Sequence, residues 1–191
     1  MRAIGKTAAY AAAVLAVAVA AFIWLAGGAA TERAASSGGL RPVWTEGRWP
    51  FPPDPWGKGK AFRCAAADCG VEVELYLRAK LGFCNCTTGV ADDNDLERMG
   101  DLDLVGGEAA ALGPGRTVAV GSMQGRSRAY ALTARDRRGR SVVAIAFNER
   151  CDMIAATAVL QDERAAAIEP AIVAFLNSST TLRWAADALG L

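Results

Sequence analysis

Between Thr7 and Ala30 the chain has no charged side chain; Arg2 and Lys6 precede this apolar, alanine-rich run and a polar stretch follows it. A basic start followed by an apolar run is the pattern of an export signal or a membrane anchor, and it commits the rest of the chain to folding outside the cytoplasm. Thiols oxidise there, so the five cysteines are expected to form disulfides. At about 1.5 Å per residue, the 24 residues of the run can cross roughly 30 Å of hydrocarbon. We therefore expect an inner-membrane, single-pass protein, with Arg2 and Lys6 cytoplasmic and the C-terminal domain in the periplasm. Gly28-Ala29-Ala30 would also permit cleavage before Thr31, leaving a periplasmic or secreted protein.

Residues 31–42, with Thr31, Ser36, Ser37, Gly38 and Gly39, read as a flexible tether. Residues 43–191 are the size of one domain with its own core. Arginine outnumbers lysine 17 to 4, a bias associated with GC-rich bacterial genomes. Without Arg2 and Lys6, 19 basic residues face 20 acidic ones, so charge gives no case for a nucleic-acid partner. The partners expected are the membrane, through residues 7–30, and an envelope protein or ligand.

Histidine is absent. That excludes Ser-His-Asp and Cys-His nucleophiles, histidine-ligated zinc or copper, and covalent c-type haem. No motif calls for a cofactor. A Ser-Lys pair would have to use Lys58, Lys60 or Lys80. In Gly121-Ser122-Met123-Gln124-Gly125 the serine sits one place early for a nucleophile elbow.

Trp44 to Trp56 contains four prolines, at 50, 52, 53 and 55, among Trp44, Trp49, Phe51 and Trp56. The prolines forbid a regular helix or a central strand and favour an extended course. We read residues 43–60 as a strap that lays its rings across the core; the sharper alternative is an aromatic binding surface formed by Trp44, Trp49 and Trp56.

Two cysteine pairs, Cys64/Cys69 and Cys84/Cys86, flank an amphipathic strand in which Val71, Val73, Leu75 and Leu77 alternate with Glu72, Glu74, Tyr76 and Arg78. Cys84 and Cys86 are too far apart in an extended chain to bridge each other. We expect each of them to pair separately with Cys64 or Cys69; Cys151 is then a buried thiol, an intermolecular partner, or the true mate of one of the four. The alternative is a metal site, with Cys64, Cys69, Cys84 and Cys86 as thiolate ligands for zinc or Cu(I), although C-x4-C and C-x-C depart from the usual zinc spacing.

Asp92, Asp93, Asp95 and Glu97, with Asp101 and Asp103 after them, suggest a calcium loop, but Arg98 stands where the EF-hand glycine belongs. A short helix capped by Asp92 or Asp93 and closed by Gly100 accounts for the same residues. Further strands are expected at Arg116–Ser122, Arg126–Ala134, Ser141–Phe147 and Asp152–Leu160, the last with helix as the alternative because of its alanines, and a turn at 136–140. Pro170 suits the first turn of a helix carrying Ile172, Val173, Phe175 and Leu176; a second helix starts at Thr181 and aligns Leu182, Ala185, Ala186 and Leu189.

The fold class expected is α+β: a mostly antiparallel sheet packed by C-terminal helices and preceded by one N-terminal transmembrane or signal segment. The element order over residues 70–191 loosely resembles the PsbP-like exported domains. The segments Trp49-Pro50-Phe51-Pro52 and Gly82-Phe83-Cys84-Asn85-Cys86 resemble uncharacterised exported bacterial proteins, a resemblance that implies export and no particular chemistry. The function expected is a membrane-tethered or secreted, disulfide-stabilised binding or scaffold module. An enzyme would have to use carboxylates among Glu72, Glu74, Asp93 and Asp95, or a reactive Cys151.

Overall fold

The computed structural model describes residues 41–82, 85–133, 139–162 and 165–191. The expected anchor, most of the expected tether, Cys84 and most of the expected 136–140 turn therefore lie outside the described residues. Among the described residues, no helix is long and apolar enough to cross a membrane.

Eight antiparallel strands form one sheet: β1 Trp44–Gly47, β2 Lys60–Cys64, β3 Val73–Lys80, β4 Glu108–Ala111, β5 Arg116–Val120, β6 Met123–Thr133, β7 Arg140–Glu149 and β8 Asp152–Leu160. The order across the sheet is β1-β2-β3-β8-β7-β6-β4, and β5 also pairs with β6. The helices are α1 Ala66–Cys69, α2 Asp93–Met99, α3 Ala165–Leu176 and α4 Ser179–Leu189, with a 3-10 turn at Leu102–Val105. The chain is thus an α+β domain whose sheet is covered by its C-terminal helices.

Alternation along the strands divides the side chains between two faces. On one face Val73, Leu75 and Leu77 of β3 join Ile145, Phe147, Ile154 and Ala156, and bury against Ile168, Ile172 and Leu176 of α3 and Leu189 of α4. Each of these valines, leucines, isoleucines and Phe147 contributes roughly 1.5–3 kcal/mol on burial. β7 and β8 are buried along nearly their whole length, as expected of central strands with apolar residues on both faces.

The strap begins with an unexpected element. Trp44–Gly47, ahead of the first proline, forms edge strand β1 against β2. Trp44 stacks on Phe175 at 4.8 Å between ring centres, within the helix-side core. Beyond β1 the strap crosses to the opposite face, where Trp49 and Phe51 pack edge-on against Tyr76 of β3. Gly59 makes this possible: a β-carbon there would fall 2.7 Å from the Trp49 ring and 2.0 Å from the Leu77 carbonyl.

Three expectations change. β5 ends at Val120 and β6 begins at Met123, three residues earlier than expected, because Gly121-Ser122 makes a two-residue hairpin. Ser122 therefore sits in a strand-to-strand turn, and a nucleophile elbow needs a strand-to-helix one. Pro170 lies inside α3 rather than in its first turn; the helix is already running by Ala165, and Ile168, Ile172 and Leu176 hold it to the sheet despite the lost hydrogen bond.

The cysteine pairing also differs. Cys64 bonds Cys69, and Cys86 bonds Cys151. The single turn α1 carries Cys69 back over the end of β2, setting the two α-carbons 6.0 Å apart, within the span a disulfide needs. Cys151 lies in the β7–β8 hairpin turn, beside the turn at residues 85–89, and Asn148 Oδ1 accepts the Val90 N–H at 3.0 Å to hold the two turns together. The separate pairing of Cys84 and Cys86 with Cys64 and Cys69 is thereby overturned.

Candidate functional site

The face away from the C-terminal helices carries the chemistry. Alternation along β3 places Glu74, Tyr76, Arg78 and Lys80 there, opposite Val159, Thr157, Ala155 and Met153 of β8. Arg78 is 3% exposed and Lys80 4%, which for cations demands a compensating charge. Asp101, itself 3% exposed and placed just after the Gly100 that closes α2, provides it. Arg78 donates to both its oxygens, from Nε at 2.9 Å and from Nη2 at 2.5 Å, in the two-pronged geometry that makes such bonds strong. Lys80 Nζ lies 2.7 Å from Asp101 Oδ1 and donates to the Met99 carbonyl at 2.8 Å.

The same guanidinium reaches the strap, where Arg78 Nη1 donates to Asp54 Oδ2. Asp54 is fixed in turn by its own loop: its other oxygen accepts the Trp56 N–H at 2.8 Å and its carbonyl accepts the Gly57 N–H at 2.9 Å. Asp-Pro-Trp-Gly is a sequence suited to such a turn, with proline second and glycine fourth. Burial works against charge on Asp54, but the Arg78 hydrogen bond and the Trp56 N–H outweigh it and hold the carboxyl below its ordinary value. Burial likewise opposes charge on Arg78, and the bonds to Asp101 outweigh it and raise its pKa.

Between this turn, α2 and the 3-10 turn lies a cavity of about 660 Å³, bordered among others by Asp54, Trp56, Glu97, Arg98, Asp101 and Asp103. Lys80 Nζ stands 5.8 Å from the Trp56 ring centre, so one face of the indole covers a cation and fixes the ring at the rim. Of the three strap tryptophans, only Trp56 borders this cavity; Trp44 packs on the helix side and Trp49 on Tyr76. Trp44 and Trp49 thus lay their rings against the folded domain, as the strap reading expects.

A second ion network locks α2 onto β6. Asp92 caps the helix, accepting the Asp95 N–H at 2.9 Å, as the sequence led us to expect. Asp93 accepts from Arg126 Nε at 2.5 Å and from the Gly115 N–H at 3.0 Å, and Arg128 Nη1 donates to Glu97 at 2.7 Å. The Gly115 N–H first, and then Arg126, hold Asp93 below its ordinary value. Tyr130 is buried in a cluster with Leu96, Met99 and Ala144, and burial pushes its hydroxyl up to about 12.

The four candidate catalytic carboxylates are each engaged. Glu72 accepts from Arg63 at 2.6 Å, Glu74 from the Tyr76 hydroxyl at 2.9 Å, Asp93 as above, and Asp95 from Arg98 at 2.7 Å. Cys151 is bonded to Cys86 and is not a free nucleophile. The four-thiolate ligand set is likewise broken, since Cys64 and Cys69 bond each other and Cys86 bonds Cys151, while Cys84 lies outside the described residues. Among the described residues, no group of three or more carboxylates and thiols is placed to hold a metal ion. Lys80, the buried member of the Ser-Lys candidates, is bound to Asp101 and the Met99 carbonyl.

Asp54 and Asp101, the residues that complete the site, carried no signal of their own. One was a turn residue in the strap; the other lay in an acidic stretch explained by helix capping. The available signal was the pair of cations, Arg78 and Lys80, two positions apart at the end of an alternating strand. Among known protein families, curated proteins and solved structures, none matches this chain.

Proposed function

We propose that the chain is an exported, disulfide-stabilised binding module of a bacterial envelope, tethered to the membrane by residues 7–30 or released by cleavage after Ala30. The observation that carries this reading is the pair of disulfides, Cys64–Cys69 and Cys86–Cys151, in a chain that opens with an export-type segment. A reducing cytosol would keep those thiols free. Binding is favoured over catalysis by the state of the acids. Asp54 and Asp93 are held below the ordinary aspartate range, whereas a general acid or base at neutral pH needs a value raised towards 7.

The ligand-facing surface in this reading is the cavity under the strap. Its walls are fixed in advance by the Arg78–Asp54 and Arg78–Asp101 bonds, which lowers the ordering cost of binding. Trp56 offers an apolar face, with Arg98 and Asp103 as polar rim groups. Protease added to intact spheroplasts tests the topology. The domain is expected to be digested while cytoplasmic markers survive; protection until lysis would place it in the cytosol and refute the reading.

A further inference from the structure

Four arginines of the described residues are buried or half-buried: Arg78, Arg126, Arg128 and Arg140. Three of them hold carboxylates. Arg140, at the start of β7, has no carboxylate within ion-pair distance among the described residues, and its Nε is buried without a hydrogen-bond partner. Arg140 as a whole is half-buried, but a guanidinium nitrogen withdrawn from water without a partner costs free energy, so the site favours an anion beside it.

Arg140 lines a cavity of about 600 Å³ at the end of the sheet, within the usual size of a small-molecule site. Its apolar wall is Leu132 and Val105, members of a cluster with Val142 and Val159. Gly106 and Gly107 form another wall without side chains. At Gly107, φ is +87° and a β-carbon would stand 3.1 Å from the Thr133 carbonyl, so the position favours glycine and the wall stays low. Glu108 also lines the cavity. A multiply charged anion is repelled by that carboxylate, whereas a monoanion with an apolar stem can place its charge at Arg140 and its stem on Leu132.

We propose that this cavity binds a small organic carboxylate, with Arg140 taking the carboxylate and Val105 and Leu132 taking the stem. The site shares Gly107 with the cavity under the strap but depends neither on export nor on what that cavity binds. The probes are hexanoate, hexanol, hexylammonium and inorganic phosphate, titrated calorimetrically into the full chain. Hexanoate is expected to saturate one site and to shift the Arg140 Nε–H resonance; hexanol and hexylammonium do neither, and phosphate binds at least about tenfold more weakly. Arg140→Met is expected to weaken hexanoate by about tenfold or more, in line with loss of a charge-assisted hydrogen bond. Because the guanidinium has no partner among the described residues, the variant is expected to unfold at or above the wild-type midpoint. Failure of hexanoate to saturate, equal binding of hexanol or phosphate, or unchanged affinity in Arg140→Met would each overturn the proposal. If the variant did not fold, the four probes and the Nε–H shift on the wild-type chain would still decide it.

Discussion

Asp101→Ala lowers the unfolding free energy by about 3–5 kcal/mol, the usual cost of removing one partner from a buried ion pair. The size follows from what is left behind. Arg78 loses two hydrogen bonds, Lys80 loses a carboxylate at 2.7 Å, and both cations stay almost fully buried. For a domain of this size the melting temperature should fall by roughly 10 °C. Charge is the cause, so the remedy is to remove the cations as well: Arg78→Met and Lys80→Met combined with Asp101→Leu should recover most of the loss, because an apolar replacement of a whole buried pair is often neutral or stabilising. Urea midpoints of the single and triple variants measure this. A single variant within about 1 kcal/mol of wild type, or a triple variant no better than the single, would show that the network does not bear on stability.

The second large effect is on the bridge between Cys86 and Cys151, which joins positions 65 residues apart. Closing a loop of that length restricts the unfolded chain by about 4 kcal/mol in the chain-entropy model; the Cys64–Cys69 loop, with a separation of 5, restricts it by only about 2 kcal/mol. Replacing Cys86 and Cys151 together by serine should therefore destabilise the domain about twice as much as replacing Cys64 and Cys69. The long bridge also fastens the turn at residues 85–89 to the β7–β8 hairpin, where Asn148 already holds the Val90 N–H. Urea unfolding of the two double variants without reductant compares them, and a larger loss from the short bridge would contradict the assignment.

Much of the sheet was legible because its strands declare themselves locally. β3 alternates, β7 is apolar on both faces, and Asp92 with Gly100 brackets α2. β1 and β4 were not legible, for a reason specific to edges. Glu108–Ala111 is exposed along its length and has no β-branched residue; it is a strand because β6 runs long enough to pair with β5 at one end and β4 at the other. The ion network was hidden for a similar reason, since Arg78 meets Asp54 and Asp101 from 24 and 23 positions away. Sequence spacing shows that Arg78 is on a strand's polar face but not that the strap and the end of α2 close over it. The partner of Cys86 was misread, and the state of Cys151 left open, because their pairing is fixed by two turns meeting, and neither turn carries a hydrophobic pattern.

The most direct test of the whole account is the thiol state of the protein recovered from its native envelope fraction, alkylated without reduction and mapped by mass spectrometry. The account predicts one alkylated cysteine and two cross-linked pairs, Cys64 with Cys69 and Cys86 with Cys151. Five alkylated cysteines, or a zinc or copper ion retained with the thiols free, would contradict it.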